Sequence, residues 1–322
     1  MPSLIELFPV WSSTLKVLVT GGTGYLGRAI VRSLIDRGPE PIVLARRAGR
    51  NVPCPAIEGD VRDHRALRDA VRGVDGVVHA AAVVSMWQQD AADFDRINVG
   101  GLETLLDVCA IEKTSRIVVT SSFLALPPAG ATRPLEANGY QRSKVRAREV
   151  ARAAAARGLP VVTIVPGVVY GPGPDSEGNL VGRLFRDHLA GRLPGIIGAD
   201  RLWSFSYVGD VAEAHVRAIE SAEPGEEYIA GGENLPQMRA FELLRAARGT
   251  PLPRRIPGPL AQLLAAWEEK IAARTRPPRV TRGTVRILLR DWPLDNARSI
   301  QKLSYRITPF DQGINRLLAG MV

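Results

Sequence analysis

Residues 16–28 read Lys-Val-Leu-Val-Thr-Gly-Gly-Thr-Gly-Tyr-Leu-Gly-Arg, and little else in the chain restricts its fold so strongly. Residues 17–20 form an apolar run of strand length. Four glycines follow within seven positions. Residues 28–37 then predict a helix, with apolar Ile30, Val31, Leu34 and Ile35 on one face. Strand, glycine turn and helix open a βαβ unit of the kind that holds a dinucleotide. Glycine allows the tight turn, close approach of backbone to a pyrophosphate, and close packing of helix on strand. The helix N-terminus adds unpaired N–H groups and a positive dipole end. Gly22-x-Gly24-x-x-Gly27 and Gly21-x-x-Gly24-x-x-Gly27 both match such spacing.

The pattern continues as strand alternating with helix. Residues 41–44 predict a second strand ending at Ala45-Arg46-Arg47. About 20 residues after the last glycine, an NAD site places an acid against the ribose 2′-hydroxyl. Arg46 and Arg47 stand there instead, and guanidinium suits a 2′-phosphate, so NADP(H) is expected over NAD(H). The alternative is a pair of solvated surface arginines. Residues 56–63 predict a third strand running into a turn at Gly59-Asp60. Asp60 either accepts from the adenine amino group, caps a helix over 65–71, or does both. Residues 74–82 predict a fourth strand, with His79 packed inside it and small Ala80, Ala81 and Ala82 leaving room for a ligand. Asn98 opens a helix to about 110, its amide suited to holding a neighbouring strand end. Residues 116–122 predict a fifth strand, ending in Thr120, Ser121 and Ser122 at the carboxyl edge where such sheets bind ligands. A helix over 140–156 and a sixth strand over 159–165 follow. This alternation argues a doubly wound parallel α/β sheet.

After Pro166, glycine- and proline-rich residues 167–178 mark the exit from the sheet. Residues 203–208 and 210–220 predict a returning strand and helix, and 227–230 a short strand. The rest predicts helices over 235–248, 258–274, 282–290 and 295–303. Leu260, Leu263, Leu264, Trp267 and Ile271 form an apolar stripe that reads as core or as the wall of a substrate pocket.

The 322 residues, 45% hydrophobic, suffice for one large or two smaller domains. No apolar run approaches the roughly 18 residues of a membrane span. Residues 1–14 lack a basic start and a small-residue cleavage site, and are expected to be a surface extension, not a secretory signal. Cys54 and Cys109 show no pairing pattern, which suggests a reducing, cytoplasmic setting. The four histidines show no metal-ligand spacing, so no metal is expected. The net charge of +9 comes from arginines spread along the chain without a nucleic-acid motif. It reads as solvation, or as attraction to phosphorylated cofactors or anionic surfaces.

Tyr140 and Lys144 stand one helical turn apart and project from one face. A free tyrosine, with a pKa near 10, carries protons poorly at neutral pH. A neighbouring ammonium is expected to lower that value and make the tyrosine an acid or base toward a substrate oxygen. Ser122, or Ser121 beside it, can hydrogen-bond the same oxygen.

With these residues in order, the chain resembles the extended short-chain dehydrogenase/reductases. The matching motifs are Thr20–Gly27 around the glycines, Gly59-Asp60-Val61-Arg62-Asp63, His79-Ala80-Ala81, Asn98-Val99, Ser121-Ser122, and Tyr140-x-x-Ser143-Lys144. Pro166-Gly167-Val168-Val169-Tyr170-Gly171-Pro172-Gly173 and Tyr207-Val208-Gly209-Asp210-Val211-Ala212 complete them. The resemblance implies a Rossmann domain of residues 14–166 plus 203–230. A smaller, mostly helical substrate domain would comprise 167–202 plus 231–322, with 1–13 as an extension. It also implies Tyr140 as acid/base, Lys144 lowering its pKa and holding the nicotinamide ribose, and Ser122 positioning the substrate oxygen. Cofactor contacts are implied for Gly21, Thr23, Gly24, Tyr25, Leu26 and Gly27, and for Asp60 and Val61 by the adenine. Further contacts are implied for Ala80, Ala81, Ala82, Asn98, Thr120, Pro166, Val168 and Val169. Val84, Ser121, Phe123, Tyr170 and Trp203 are expected beside the substrate.

Trp203 and Val165 stand where sugar-nucleotide enzymes of this family carry arginines, and residues 290–297 resemble the reductases related to dihydroflavonol reductase and 3β-hydroxysteroid dehydrogenase. The expectation is an NADP(H)-dependent oxidoreductase interconverting a ketone and a secondary alcohol on a largely apolar small molecule. A nucleotide-sugar epimerase or dehydratase with internally recycled cofactor, and a non-catalytic NADP(H)-binding regulator, are the alternatives. A homodimer pairing helices 101–110 and 140–156 is expected from the resemblance. Ser122 and Tyr140 are 18 positions apart, shorter than is usual in the family, so the site is expected either more open or covered by another segment such as the N-terminal extension.

Overall fold

The structure, a computed structural model, describes residues 15–47, 52–176, 178–272 and 276–321. The expected N-terminal extension therefore lies outside the described residues. The first half runs β1 (Lys16–Thr20), α1 (Tyr25–Arg37), β2 (Glu40–Ala45), β3 (Ala56–Glu58), α2 (His64–Val71), β4 (Gly76–His79), α3 (Ala92–Asp95). A π turn over Arg96–Gly100 leads into α4 (Gly101–Ile111), then β5 (Ile117–Thr120), α5 (Gly139–Ala156) and β6 (Val161–Pro166). The second half runs β7 (Val168–Tyr170), α6 (Leu180–Leu189), β8 (Ile196–Ile197), β9 (Leu202–Tyr207), α7 (Val208–Ser221) and β10 (Glu227–Ala230). It ends with β11 (Glu233–Pro236), α8 (Arg239–Arg248), β12 (Arg255–Ile256), α9 (Gly258–Ala272), α10 (Arg282–Leu288), α11 (Ala297–Leu303) and α12 (Phe310–Ala319).

Seven parallel strands form one sheet in the order β10-β6-β5-β4-β1-β2-β3. Alternation within the strands explains how both faces are covered. Val17, Val19, Val43 and Val78 pack against α1 and α7, whereas Leu18, Leu44 and Val77 pack against α2, α4 and α5. The alanines of α5 serve this second face: Ala147, Ala151 and Ala154 are buried and let the helix lie close to the sheet.

The sheet order reverses between β1 and β4, and a crevice of this kind is where dinucleotides bind. Beyond the carboxyl ends of β5 and β6 lies a separate core. The three-stranded sheet β11-β9-β7, α6, α8 and α12 enclose Phe123, Tyr140, Tyr170, Phe185, Trp203, Phe205 and Trp292.

Several expectations are corrected here. Helix α1 begins at Tyr25, three residues early, and Ile35 is exposed because only Ile30, Val31 and Leu34 reach the sheet. Asp63, not Asp60, caps α2, accepting from the N–H groups of Arg65 and Ala66 at 2.9 and 3.1 Å. Residues 168–170 are not loop: β7 pairs in parallel with β9, so β9 joins the small sheet, whereas β10 joins the large one. The helix expected from 235 starts at Arg239, since Glu233–Pro236 pairs antiparallel with β9. Helix α12 had no counterpart among the expectations. The stripe on α9 is not core: Leu260, Leu263, Leu264, Trp267 and Ile271 are all exposed, and Ala261, Ala265, Glu268 and Ala272 face inward.

Candidate active site

The glycine turn has the shape of a phosphate cradle. Gly21 adopts φ +74°, and a Cβ there would stand 2.6 Å from the Ala81 nitrogen at the end of β4. A Cβ on Gly22 would lie 2.5 Å from Val43 of β2. A Cβ on Gly27 would drive into the Gly21 carbonyl, where α1 crosses the turn. Gly24 is exposed, and its N–H closes the turn on the Gly21 carbonyl at 2.9 Å. Thr23 and Leu26 are half-buried, and the Thr23 carbonyl accepts from Arg28 Nε at 2.9 Å. Tyr25 points away from the turn: its hydroxyl donates to the Gly171 carbonyl at 3.0 Å, and its ring lies against Gly173. It thereby ties the turn to the loop after β7.

Arg46 and Arg47 are exposed at the end of β2, and Arg46 adds favourable charge at Asp60. Asp60 itself forms a bidentate pair with Arg62, at 2.9 and 2.8 Å, which holds its carboxyl down to about 2. Val61 packs beneath Gly101 of α4. Ala80, Ala81 and Ala82 are half-buried beyond β4.

At the end of β5 the groups expected to carry chemistry converge. Asn138 caps α5 by accepting from the Gln141 N–H at 2.8 Å, and Tyr140 follows in the first turn. The Tyr140 hydroxyl meets the Ser122 hydroxyl, which draws its pKa down, but burial dominates and pushes the phenol up to about 12. Burial pushes the Lys144 ammonium down to about 8. The lowered tyrosine pKa anticipated from Lys144 is thus not seen: both groups are desolvated, and for each that cost outweighs its neighbours. Lys144 Nζ donates to the Thr120 carbonyl at 3.3 Å, which fixes the lysine to β5. Ser121 donates its N–H to the Ile164 carbonyl, while its buried hydroxyl has no partner among the described residues.

Two side chains hold this constellation. Asn98 accepts from the Val83 N–H at 2.7 Å and donates to the Val83 carbonyl and the Ser143 hydroxyl, at 3.2 and 2.9 Å. Its amide joins the loop after β4 to α5, and holds that loop rather than the strand end itself. Gln141, fully buried, accepts from the Ala137 N–H and donates to the Leu124 carbonyl at 2.8 and 3.1 Å. It links the first turn of α5 to the turn that follows Ser122. Sequence reasoning missed it; a glutamine on the inward side of the Tyr-Lys helix was the available signal.

Phe123, Trp203 and Trp292 form one aromatic group, with Phe123 5.7 Å from Trp203 and 5.5 Å from Trp292. Tyr170 is buried elsewhere in this core, 5.0 Å from Phe310, with its hydroxyl against Gly313 of α12. Val84 is exposed. Pro166 ends β6, Val168 is buried in β7 and Val169 half-buried. The short Ser122–Tyr140 segment is covered from the C-terminal side. Ala129 donates its N–H to the Asp291 carbonyl at 2.9 Å, and Gly283 of α10 lies against the Ala137 carbonyl.

Residues 17–231 match the model of the NAD dependent epimerase/dehydratase family. Sterol demethylase protein B of Methylococcus capsulatus is 32% identical over 308 residues, 90% of this chain and 93% of that protein. A putative dihydroflavonol 4-reductase of Synechocystis is 29% identical, over 88% of each chain. The structure of a Thermus thermophilus UDP-glucose 4-epimerase in complex with NAD superposes with a TM-score of 0.73 at 26% identity, covering 95% of this chain and 98% of that one.

Proposed function

This chain belongs to the NAD-dependent epimerase/dehydratase family, and on that premise we propose that it is an NADP(H)-dependent oxidoreductase interconverting a ketone and a secondary alcohol on a largely apolar small molecule. The observation that carries the reading is the meeting of the Tyr140 and Ser122 hydroxyls beside an aromatic group made by Phe123, Trp203 and Trp292. The glycine cradle, with no room for a Cβ at Gly21 or Gly27, and the unpartnered Ser121 hydroxyl fit a nicotinamide dinucleotide. Gly21, Gly24 and Gly27 would hold its pyrophosphate at the start of α1, Arg46 and Arg47 its 2′-phosphate, and Lys144 its ribose. When bound, the nicotinamide supplies or accepts a hydride.

The protein's own groups manage the proton. With its pKa near 12, Tyr140 is protonated at neutral pH and donates to the carbonyl oxygen during reduction. Ser122 donates a hydrogen bond to the same oxygen. The apolar walls exclude water and favour an uncharged substrate. The relatives named as reductases support this direction. An epimerase acting on a nucleotide sugar is the second reading, favoured by the likeness to the UDP-glucose 4-epimerase.

The test follows absorbance of NADPH and of NADH with a panel of apolar ketones. Ketone-dependent loss of NADPH in stoichiometric amounts is expected. Tyr140→Phe should lower turnover by about 10²–10⁴-fold while leaving cofactor binding unchanged. Arg46→Ala should weaken NADPH about tenfold and leave NADH unaltered. Sugar isomerisation without net cofactor loss would replace this reading by the epimerase, and turnover unaffected in Tyr140→Phe would remove Tyr140 from the chemistry.

A further inference from the structure

Helix α9 is built the wrong way round for a buried helix. Its inward face is small: Ala261 and Ala265 pack on Val285 and around Ile197, Ile256 and Leu289, and Ala272 is buried at the helix end. Its outward face is large and apolar. Leu260, Leu263, Leu264, Trp267 and Ile271 recur at helical spacing, and Leu263 and Trp267 are 68% and 57% exposed. Scattered exposed apolar residues need no explanation, but five on one stripe of one helix mark a contact surface.

The charge around this helix identifies the partner. Residues 254–290 hold nine arginines and lysines against two glutamates, a net +7 of the +9 carried by all 322 residues. This segment is one of the chain's basic stretches, and the one that adjoins an exposed apolar stripe. Arg254, Lys270, Arg279, Arg286 and Arg290 are exposed and enter no ion pair among the described residues. Lys270 borders the stripe on α9 itself, and Arg286 lies on α10, which packs against α9. At 15 residues α9 is too short to span a bilayer, and no described helix is long and apolar enough to do so.

We propose that the outward face of α9 docks this protein on an anionic lipid surface, with Leu263 and Trp267 entering the headgroup boundary and the surrounding arginines and lysines meeting lipid phosphates. An apolar stripe lying in the interface plane, flanked by basic residues, is the arrangement that binds such surfaces. The inference does not depend on the reaction assigned above.

The test is co-sedimentation of the full-length protein with vesicles made of equal parts phosphatidylglycerol and phosphatidylcholine, and with phosphatidylcholine alone. Binding to the anionic vesicles, weakened by salt and absent from the neutral ones, is expected. The exposed double variant Leu263→Gln/Trp267→Gln should bind about tenfold more weakly or worse, with unchanged circular dichroism and thermal midpoint. Failure of the wild type to bind anionic vesicles overturns the proposal. So does equal binding to neutral vesicles, or undiminished binding by the double variant. Sedimentation velocity without lipid supplies the remaining arm: a wild-type dimer that the double variant dissolves would show that the stripe pairs with a second copy, and would also overturn it.

Discussion

Lys144 is an ammonium enclosed by protein, held by a single carbonyl bond to Thr120 and pushed down to about 8 by burial. The unfolded chain returns it to about 10.4, so the unfolded state binds more protons between these values. Stability therefore rises with pH from about 8 to 10.4, and below pH 8 the full cost of burying the charge is present. The difference amounts to about 3 kcal/mol. Lys144→Met is expected to remove it. At pH 7 the variant should be more stable to urea by about 2 kcal/mol, allowing for the lost carbonyl bond, and should have lost nearly all turnover. A variant less stable than wild type would show that the ammonium is solvated or paired in solution. Gln141 and Asn98 belong to this scale as well, since each links separate chain segments through one amide.

Among the elements, the C-terminal segment shows how a distant part of the chain is recruited. Asp210, in the first turn of α7, accepts from both the N–H and the hydroxyl of Thr308, at 2.6 and 2.8 Å. Burial pushes its carboxyl up on balance, against the two bonds from Thr308 and nearby Arg316, which favour the charged form. These bonds place α12, whose Gly313 lies under Tyr170 and whose Phe310 lies 4.8 Å from Phe205. Asp210→Ala leaves the Thr308 N–H without its acceptor and is expected to cost about 2 kcal/mol. Denaturant unfolding should show a lower midpoint at unchanged slope, with NADPH affinity within a factor of about two of wild type. The glycine turn contrasts with this, because its shape comes from residues adjacent in sequence and from their close approach to β2 and β4.

For the molecule as a whole, two buried histidines, His79 in β4 and His215 in α7, set the response to acid. His79 pairs with the Thr20 hydroxyl at 2.8 Å, and His215 with the Thr120 hydroxyl at 2.9 Å and the Val211 carbonyl at 2.7 Å. Burial holds them down to about 3 and about 4. Unfolded, both titrate near 6.5, so the stability they contribute is present above pH 6.5 and lost as pH falls below it. The unfolding free energy from urea titrations should fall from pH 6.5 to 4, with a slope approaching about 2.7 kcal/mol per pH unit. His215→Gln should reduce that slope by about half, and an unchanged slope would place the acid sensitivity elsewhere.

Local pattern was sufficient for the glycine turn, the order of strands and helices through β6, and the placement of Tyr140 and Lys144 one turn apart on α5. Each of these is written in neighbours a few positions apart, at periods of two or about 3.6 residues. That His79 lies inside a strand was legible for the same reason, because the surrounding run is apolar on both faces. Other features needed the assembled molecule. The sheet to which β9 belongs, and the cover that α10 and Asp291 place over the short Ser122–Tyr140 segment, depend on contacts between distant residues. The raised pKa of Tyr140 depends on burial that no spacing encodes. The same holds for α9: its stripe reads as core by periodicity, and only packing decides that the alanines turn inward and leave the leucines and Trp267 outside. Periodicity shows that a helix has two faces, while the shape and size of what it packs against determine which of them is buried.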